Sequence, residues 1–287
     1  MITVDPATYL QLLGLVQNSI IAAAVLGIVG GLIGVFVMQR DMAFAVHGIS
    51  ELSFAGAAAA LLLGVNVVAG SIVGSLVAAA IIGVLGARAR DRNSIIGVLM
   101  PFGLGLGILF LALYPGRSGN KFGLLTGQII SVDLPQLGLL LGISIVVLAA
   151  LLVIWRPLTF DSLDPEVASA RGVPGRALSI LFMTLLGLTV AVSVQVIGAL
   201  LVLALLVTPA AAALRVSASP VLVPVLSMLF GLVSAVGGIL LALGGSLPIS
   251  PYITTISFAI YVVCRVLGAR GATGAGRRPA VPAGALR

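Results

Sequence analysis

Apolar runs long enough to cross a lipid bilayer recur along almost the whole chain. An α-helix of about 20 residues spans the ~30 Å hydrocarbon core, because each residue adds about 1.5 Å. The runs are continuously apolar and lack the two-residue alternation of a transmembrane β-strand. Only 8% of the residues are charged and the mean hydropathy is +1.28, whereas roughly 25% of the residues in an ordinary soluble domain are charged. The sequence therefore predicts an all-α fold, a polytopic bundle of transmembrane helices.

The apolar runs and the polar segments between them define the predicted order of the spans. Nine candidate helices lie at 17–37, 43–64, 66–87, 94–114, 134–155, 177–194, 196–214, 220–243 and 250–268. Between the sixth and the seventh, only Ser193 and Gln195 interrupt the apolar run, so two short helices or one bent pair would fit. We therefore expect eight or nine spans. They form a transmembrane domain over 17–268, between an external N-terminal segment, 1–16, and a disordered basic tail, 269–287.

The distribution of basic residues predicts the orientation in the membrane. One set of loops and the tail carries 13 of the 15 basic residues, and the other set carries only Arg117 and Lys121. The positive-inside rule then places the N-terminus outside and the C-terminus in the cytoplasm of a multi-pass protein of the cell (plasma or inner) membrane. The net charge of +7 reflects this topology, so we expect membrane lipid and no nucleic acid around the chain. The first 40 residues lack a basic start and a cleavage site, and we expect no removable signal peptide.

Two ionisable residues lie deep inside the second predicted span. They are His47, the only histidine of the chain, and Glu51. A charge at the centre of a membrane helix costs ~2.5–3.5 kcal/mol, so it persists with a partner or a wet cavity. Residues four apart stack on one helix face, and Glu51 lies about 12 Å from a helix start near Ala43. The pair is therefore the candidate functional site.

An imidazole and a carboxylate at this spacing can contact one divalent transition metal ion. Nitrogen and oxygen donors together suit Zn²⁺, Mn²⁺ or Fe²⁺. Two ligands make an incomplete site, which fits an ion in transit, and a two-fold dimer would double the set. Two other interpretations stay open: a structural hydrogen bond between the side chains, or the proton relay of a secondary carrier. An intramembrane hydrolase is not indicated, because Ser50 shares the helix of His47 and no Gly-x-Ser-x-Gly motif surrounds it.

Four segments of the chain match a pattern that extends from about Gly14 to Val266. They are GVFVMQRDMAFAVHGISELSFAGAAAALLLG (Gly34–Gly64), LLTGQIISVD (Leu124–Asp133), SLDPEVASARGV (Ser162–Val173) and QVIGALLVLALLVTPAAAALRVS (Gln195–Ser217). In these segments the chain resembles the permease subunits of metal-uptake ABC transporters for zinc, manganese or iron, the ABC-3 family. The third and fourth segments together are the most specific.

This resemblance implies a type II ABC importer-like permease domain over 17–268. It implies a homodimer with the ion path along the two-fold axis, working by alternating access. A cytoplasmic ATP-binding subunit would supply the nucleotide motifs that this chain lacks, so the chain itself is not expected to be an enzyme. An extracytoplasmic metal-binding protein would deliver the divalent metal. That metal is a substrate, and no permanently bound cofactor is implied.

The resemblance also implies roles for particular residues. In such families an aspartate followed four residues later by a histidine contacts the metal in the second span. Here those positions hold His47 and Glu51, in the opposite order, as transient metal contacts or a gate. The ATPase-contacting turn would correspond to Pro209–Pro220, with Ser162–Val173 beside it. The nearest alternatives are a siderophore or haem ABC permease and an ion-coupled secondary carrier.

Overall fold

The computed structural model describes residues 6–85, 89–116, 132–199, 201–243 and 249–275, and every regular element in these ranges is an α-helix. The helices are α1 (Pro6–Leu15), α2 (Gln17–Gln39), α3 (Ala43–Leu63), α4 (Val67–Leu85), α5 (Ala89–Leu113), α6 (Leu134–Leu163), α7 (Pro165–Ala170), α8 (Gly175–Ile197), α9 (Val202–Leu206), α10 (Thr208–Val216), α11 (Leu222–Leu243) and α12 (Ile249–Ala275). Helix is the structure expected of an apolar chain in lipid, because it pairs backbone groups within one segment.

Eight of the described helices are long and apolar enough to cross a membrane. They are α2, α3, α4, α5, α6, α8, α11 and α12, with lengths of 19 to 30 residues for the apolar segments. Each matches one of the predicted spans to within a few residues, except that α6 and α12 continue eight and seven residues past their predicted ends at 155 and 268. The all-α, polytopic fold predicted from the sequence is confirmed.

The seventh predicted span, 196–214, is wrong as a single helix. Helix α8 continues past Ser193 and Gln195 and ends at Ile197, and Gly198 follows with φ 82°. A positive φ ends a right-handed helix, and glycine adopts it at little cost. The chain then forms the short helices α9 and α10, and Pro209 lies in the first turn of α10, where a missing N–H is tolerated.

The helices fall into two groups that pack mainly within themselves. The first, which we call the site bundle, comprises α3, α4, α5 and α8. The second comprises α2, α10, α11 and α12. Helix α6 packs against both α2 and α8, and the short α9 contacts helices of both groups. Helices α2 and α3 follow each other in the sequence, so the turn between them joins the two groups.

Glycines allow close approach at the contacts between neighbouring helices. A Cβ atom on Gly27 would overlap the backbone of Gly231 in α11, and one on Gly31 would overlap Ser227. The Ser227 hydroxyl donates to the Gly31 carbonyl over 2.6 Å in the same contact. In lipid, such contacts between small residues supply much of the packing energy. Gly27 and Gly31 therefore allow α2 and α11 to pack closely within one chain.

The polar segments differ in how far the structure describes them. Helix α7 follows Asp164 directly: the Asp164 carboxylate accepts from the Val167 N–H over 3.0 Å, and Gly172 with φ 80° follows the end of the helix. Most of the polar segment 114–133, which carries Arg117 and Lys121 of the external set of loops, lies outside the described residues. Helix α12 continues to Ala275, past the predicted start of the tail at 269, and the rest of that tail also lies outside them.

Candidate functional site

Helix α3 carries both predicted site residues on one face. It begins at Ala43, directly after a tight turn in which Asp41 has φ 52°, a left-handed conformation that few non-glycine residues adopt. His47 and Glu51 follow one helical turn apart in the first half of the helix. The His47 Nε2 and Glu51 Oε1 atoms are 3.6 Å apart, so the structure brings the two predicted residues together.

The contact between the two side chains leaves hydrogen-bonding capacity unused. A separation of 3.6 Å is too long for a hydrogen bond, and within the described part of the chain neither His47 Nδ1 nor Glu51 Oε2 has a partner. The Glu51 side chain is only 3% exposed, whereas that of His47 is 27% exposed. Buried polar atoms without partners are rare in proteins and call for an explanation such as an ion. A self-sufficient structural hydrogen bond does not describe this pair.

Helix α5 packs against the backbone of α3 at the level of Glu51. A Cβ atom on Gly103 would lie 3.0 Å from the Glu51 carbonyl carbon and 2.6 Å from a Leu52 methyl carbon. At Gly48, next to His47, the nearest atoms to an added Cβ would be 3.5 and 3.6 Å away, an ordinary contact. The absence of a side chain at Gly103 therefore allows α5 to approach the α3 backbone closely beside the Glu51 carboxylate. At Gly48 the packing leaves room for a methyl group, so this contact does not require a glycine.

Buried serines hold α3 against α4 and α8 two residues beyond Glu51. The hydroxyl oxygens of Ser53 and Ser71 are 2.7 Å apart, and the Ser71 hydroxyl also reaches the Ala191 carbonyl over 3.3 Å. Ser53 and Ser71 are completely buried. Hydrogen bonds between membrane helices average about 0.6 kcal/mol each. This network fixes the position of α3 within the site bundle and so the position of its ionisable pair.

A second charged pair, which the sequence did not single out, lies at the other side of the α2–α3 turn. The Arg40 guanidinium contacts the Asp161 carboxylate of α6 over 3.0 Å, and their side chains are 12% and 8% exposed. Arg40 also approaches the Ser162 hydroxyl over 3.4 Å and lies 5.7 Å from the centre of the Phe182 ring of α8. The sequence offered one indication of this pair: Arg40 and Asp161 both follow the ends of predicted spans on the same side of the membrane.

A polar cavity of about 650 Å³ opens at this Arg40 end of the bundle. Its wall includes Arg40 and Asp161, the neighbouring Asp41, and Arg176 at the start of α8. A cavity of about 160 Å³ nearby reaches the turn between α10 and α11 at Pro220. The Arg40 end therefore presents polar, concave surface made by α2, α6, α7 and α8.

The donor set available to a metal within one chain is small. Among the described residues, no three His, Cys, Asp or Glu side chains come close enough to hold a metal ion together. His47 and Glu51 offer one nitrogen donor and one carboxylate, which suit a borderline divalent transition metal better than Mg²⁺ or Ca²⁺. Two donor groups can contact an ion for a short time, and other groups must then complete its coordination.

Comparison with known proteins bears on this arrangement. A family model described as the ABC 3 transport family matches residues 13–268. The chain belongs to the ABC 3 transport family. This membership confirms the resemblance to permease subunits of metal-uptake ABC transporters, and the match includes both groups of helices, the broken α9–α10 segment and the candidate site.

Individual members of the family align over most of the chain. It is 32% identical over 225 residues to a protein named manganese transport system membrane protein MntC from Halalkalibacterium halodurans, covering 78% of this chain and 77% of the relative. It is 28% identical to manganese import system permease protein ScaB from Streptococcus parasanguinis, covering 88% and 91%. The solved PsaBC from Streptococcus pneumoniae in complex with Fab superposes with a TM-score of 0.80 at 28% identity, covering 90% of this chain and 94% of that chain.

Proposed function

We propose that this chain is the permease subunit of an ABC importer that moves a divalent transition metal ion, manganese first among the candidates, into the cytoplasm. The observation that carries the proposal is the pair of His47 and Glu51, held together in a membrane span with one unpartnered atom on each. The similarity to MntC and ScaB, which are named for manganese transport and import, favours manganese over the zinc or iron that the donor types would also accept.

In this proposal His47 and Glu51 are transient contacts for the ion. The buried Glu51 carboxylate supplies charge that an entering cation neutralises, which offsets the cost of carrying it in a membrane helix. The partly exposed His47 imidazole lies where an ion can reach it. Two ligands from each copy contact the ion without forming a dedicated cage within one chain, so the ion can leave again, as transport requires.

The same proposal calls for a second copy of the chain. One copy supplies only two donors within the described residues, and tetrahedral or octahedral metals need four to six. A two-fold axis beside the exposed edge of His47 would bring a second His47 and Glu51 to the ion. We therefore propose a homodimer with the ion path along its axis.

The Arg40 end is the proposed cytoplasmic surface for an ATP-binding subunit. By the positive-inside rule it faces the cytoplasm, with the N-terminus outside and the membrane being the cell membrane. The α10–α11 turn around Pro220 and helix α7 lie on this end beside the polar cavities. Closure of the ATP-binding subunits would alternate access to the site, and a metal-binding protein would deliver the ion outside.

Uptake of radiolabelled manganese into cells that lack their own manganese importers tests the site. We expect Glu51→Ala and His47→Ala each to abolish uptake while the permease still reaches the membrane. Asp133→Asn, which removes an exposed carboxylate but keeps an oxygen that accepts from the Gln136 N–H at the start of α6, is the matched control and keeps normal uptake. Wild-type uptake rates in both site variants would refute the assignment of His47 and Glu51.

A second assay separates an ABC importer from a secondary carrier with a proton relay. Cells are depleted of ATP while an artificial gradient preserves the membrane potential. The proposal expects manganese uptake to stop under these conditions. Uptake that continues at the full rate would favour the secondary carrier and leave the pair as a proton relay.

A further inference from the structure

Two arginines from separate helices meet around a single phenol at the Arg40 end. Within α12, Arg265 Nη1 donates to the Tyr261 hydroxyl over 3.4 Å. Arg215, in the last turn of α10, lies close to the same hydroxyl. A neutral phenol oxygen accepts hydrogen bonds but compensates neither charge. The structure therefore places the positive charges of Arg215 and Arg265 close together.

Backbone packing keeps these charges close together. A Cβ atom on Gly268 would overlap the carbonyl oxygen of Arg215, so the end of α10 lies directly on the last membrane turn of α12. The positions of both Cα atoms are thus set by a helix contact and do not depend on the flexible side chains. Like charges held at short range repel each other, and an anion that contacts both removes this repulsion.

The described part of the chain provides no such anion. No Asp or Glu follows Glu166 anywhere in the sequence. Within the described ranges the ion pairs are Arg40–Asp161 and His47–Glu51, and neither involves Arg215 or Arg265. Both of these arginines are exposed. Because no described side chain compensates Arg215 and Arg265, we look for an anion outside this chain.

The surroundings of Arg265 indicate where that charge lies. Its neighbours on α12, Val262, Val263, Val266 and Leu267, are exposed apolar side chains, as expected of a lipid-facing surface. The sequence predicts that this span ends at 268, only three residues after Arg265. An arginine at this depth extends its guanidinium to the headgroup level, where tyrosine side chains also concentrate. The anion that occupies this level of a membrane is the lipid phosphate.

We propose that Arg215 and Arg265, with the Tyr261 hydroxyl between them, bind the phosphate of an anionic phospholipid in the leaflet at the Arg40 end. The two guanidiniums donate to the phosphate oxygens, and the acyl chains lie along the apolar face of α12. Basic sites between membrane helices on the cytoplasmic side bind acidic headgroups by this chemistry. This proposal does not depend on the identity of the transported ion.

Native mass spectrometry of the full chain in detergent tests it by titration with phosphatidylglycerol, phosphatidylcholine or inorganic phosphate. Each basic residue near an anionic headgroup contributes about a five-fold gain in affinity. We expect Arg215→Gln and Arg265→Gln each to weaken phosphatidylglycerol binding about five-fold and the double variant about twenty-five-fold. Phosphatidylcholine binding stays unchanged, and phosphatidylglycerol alone raises the thermal midpoint of the wild type.

The matched control is the double variant Arg156→Gln/Arg171→Gln, which removes the same charge from two other exposed positions. It keeps phosphatidylglycerol affinity within two-fold of the wild type. Equal weakening by both double variants would mean a diffuse charge effect and overturn the site. Competition by millimolar phosphate would overturn the lipid assignment in favour of a soluble anion. Unchanged lipid binding with loss of the co-purified ATP-binding subunit would reassign the two arginines to a protein contact.

Discussion

The Arg40–Asp161 pair and the His47–Glu51 pair lie on either side of the α2–α3 turn. They differ in the distance between their charged groups, in their further contacts and in the number of helices that they join. Arg40 and Asp161 are 3.0 Å apart, and Arg40 gains further contacts from a serine hydroxyl and an aromatic ring. His47 and Glu51 are 3.6 Å apart on one helix, and each keeps an unpartnered atom. The first pair joins three helices, whereas the second joins none.

The difference separates a structural role from a functional one. A buried ion pair whose charges are matched by several contacts stabilises the arrangement of the helices that carry it, and removing one partner leaves a costly uncompensated charge. A pair with unused donor and acceptor atoms contributes little to stability and remains available for a ligand. The comparison therefore predicts that changes at the two pairs affect different measurements.

The largest effect on stability is expected at Arg40. Arg40→Leu leaves the Asp161 carboxylate without its partner, and the free energy of unfolding should fall by about 3 kcal/mol, the lower end of the range for buried pairs. Titration of the detergent-solubilised permease with dodecyl sulfate measures this change. Arg171→Leu removes an exposed arginine and should stay within about 0.5 kcal/mol of the wild type. Equal free energies of unfolding for Arg40→Leu and Arg171→Leu would show that the Arg40–Asp161 pair does not stabilise the fold.

A smaller loss is expected where α5 meets the site helix. Gly103→Ala forces an added methyl against the backbone at Glu51 and Leu52, and such overpacking costs about 1–3 kcal/mol. Gly48→Ala makes only ordinary contacts and should be tolerated. Thermal midpoints and uptake rates of both variants check this prediction. A Gly48 variant as damaged as the Gly103 variant would show that helix distortion, and not the close approach of α5, is responsible.

The serine network should contribute still less. Ser53→Ala removes the hydrogen bonds from α3 to α4, while the Ser71 hydroxyl keeps its bond to Ala191. We expect a loss of about 0.6 kcal/mol, the average for hydrogen bonds between membrane helices. The same unfolding titration measures it. A loss larger than that of Gly103→Ala would make the serines the principal anchor of α3.

The smallest change in stability is expected at the candidate site itself. The double variant His47→Gln/Glu51→Gln removes both ionisable groups at nearly constant size. Its free energy of unfolding should lie within about 0.5 kcal/mol of the wild type, while manganese uptake is lost. A fall as large as that of Arg40→Leu would mean that His47 and Glu51 form a structural pair.

Much of this fold follows from local features of the sequence. Lipid imposes helices on long apolar runs, so their number and order could be predicted without a structure. The start of α7 was also predictable, because the Asp164-Pro165 pair forms an N-cap and first turn through neighbouring residues. His47 and Glu51 could be found because charge is scarce in the spans and four-residue spacing fixes a shared helix face.

Other features depend on contacts between distant residues and could not be predicted. The break occurs at Gly198, which has a positive φ that the local sequence pattern does not indicate, whereas the neighbouring polar residues Ser193 and Gln195 remain helical. The pairing of Arg40 with Asp161 requires α2 and α6 to end at the same level. The unpartnered atoms of His47 and Glu51 are likewise visible only in three dimensions.

Pulsed electron paramagnetic resonance of Mn²⁺ bound to the transporter complex tests the central claim most directly. His47 is the only histidine of the permease, so a complex purified without a histidine tag and compared with its His47→Ala variant isolates its signal. The account predicts nitrogen modulation of the bound Mn²⁺ in the wild type and its loss in the variant. Nitrogen modulation of equal strength in both proteins, or Mn²⁺ bound in the wild type with no nitrogen signal, would contradict a metal contact at His47.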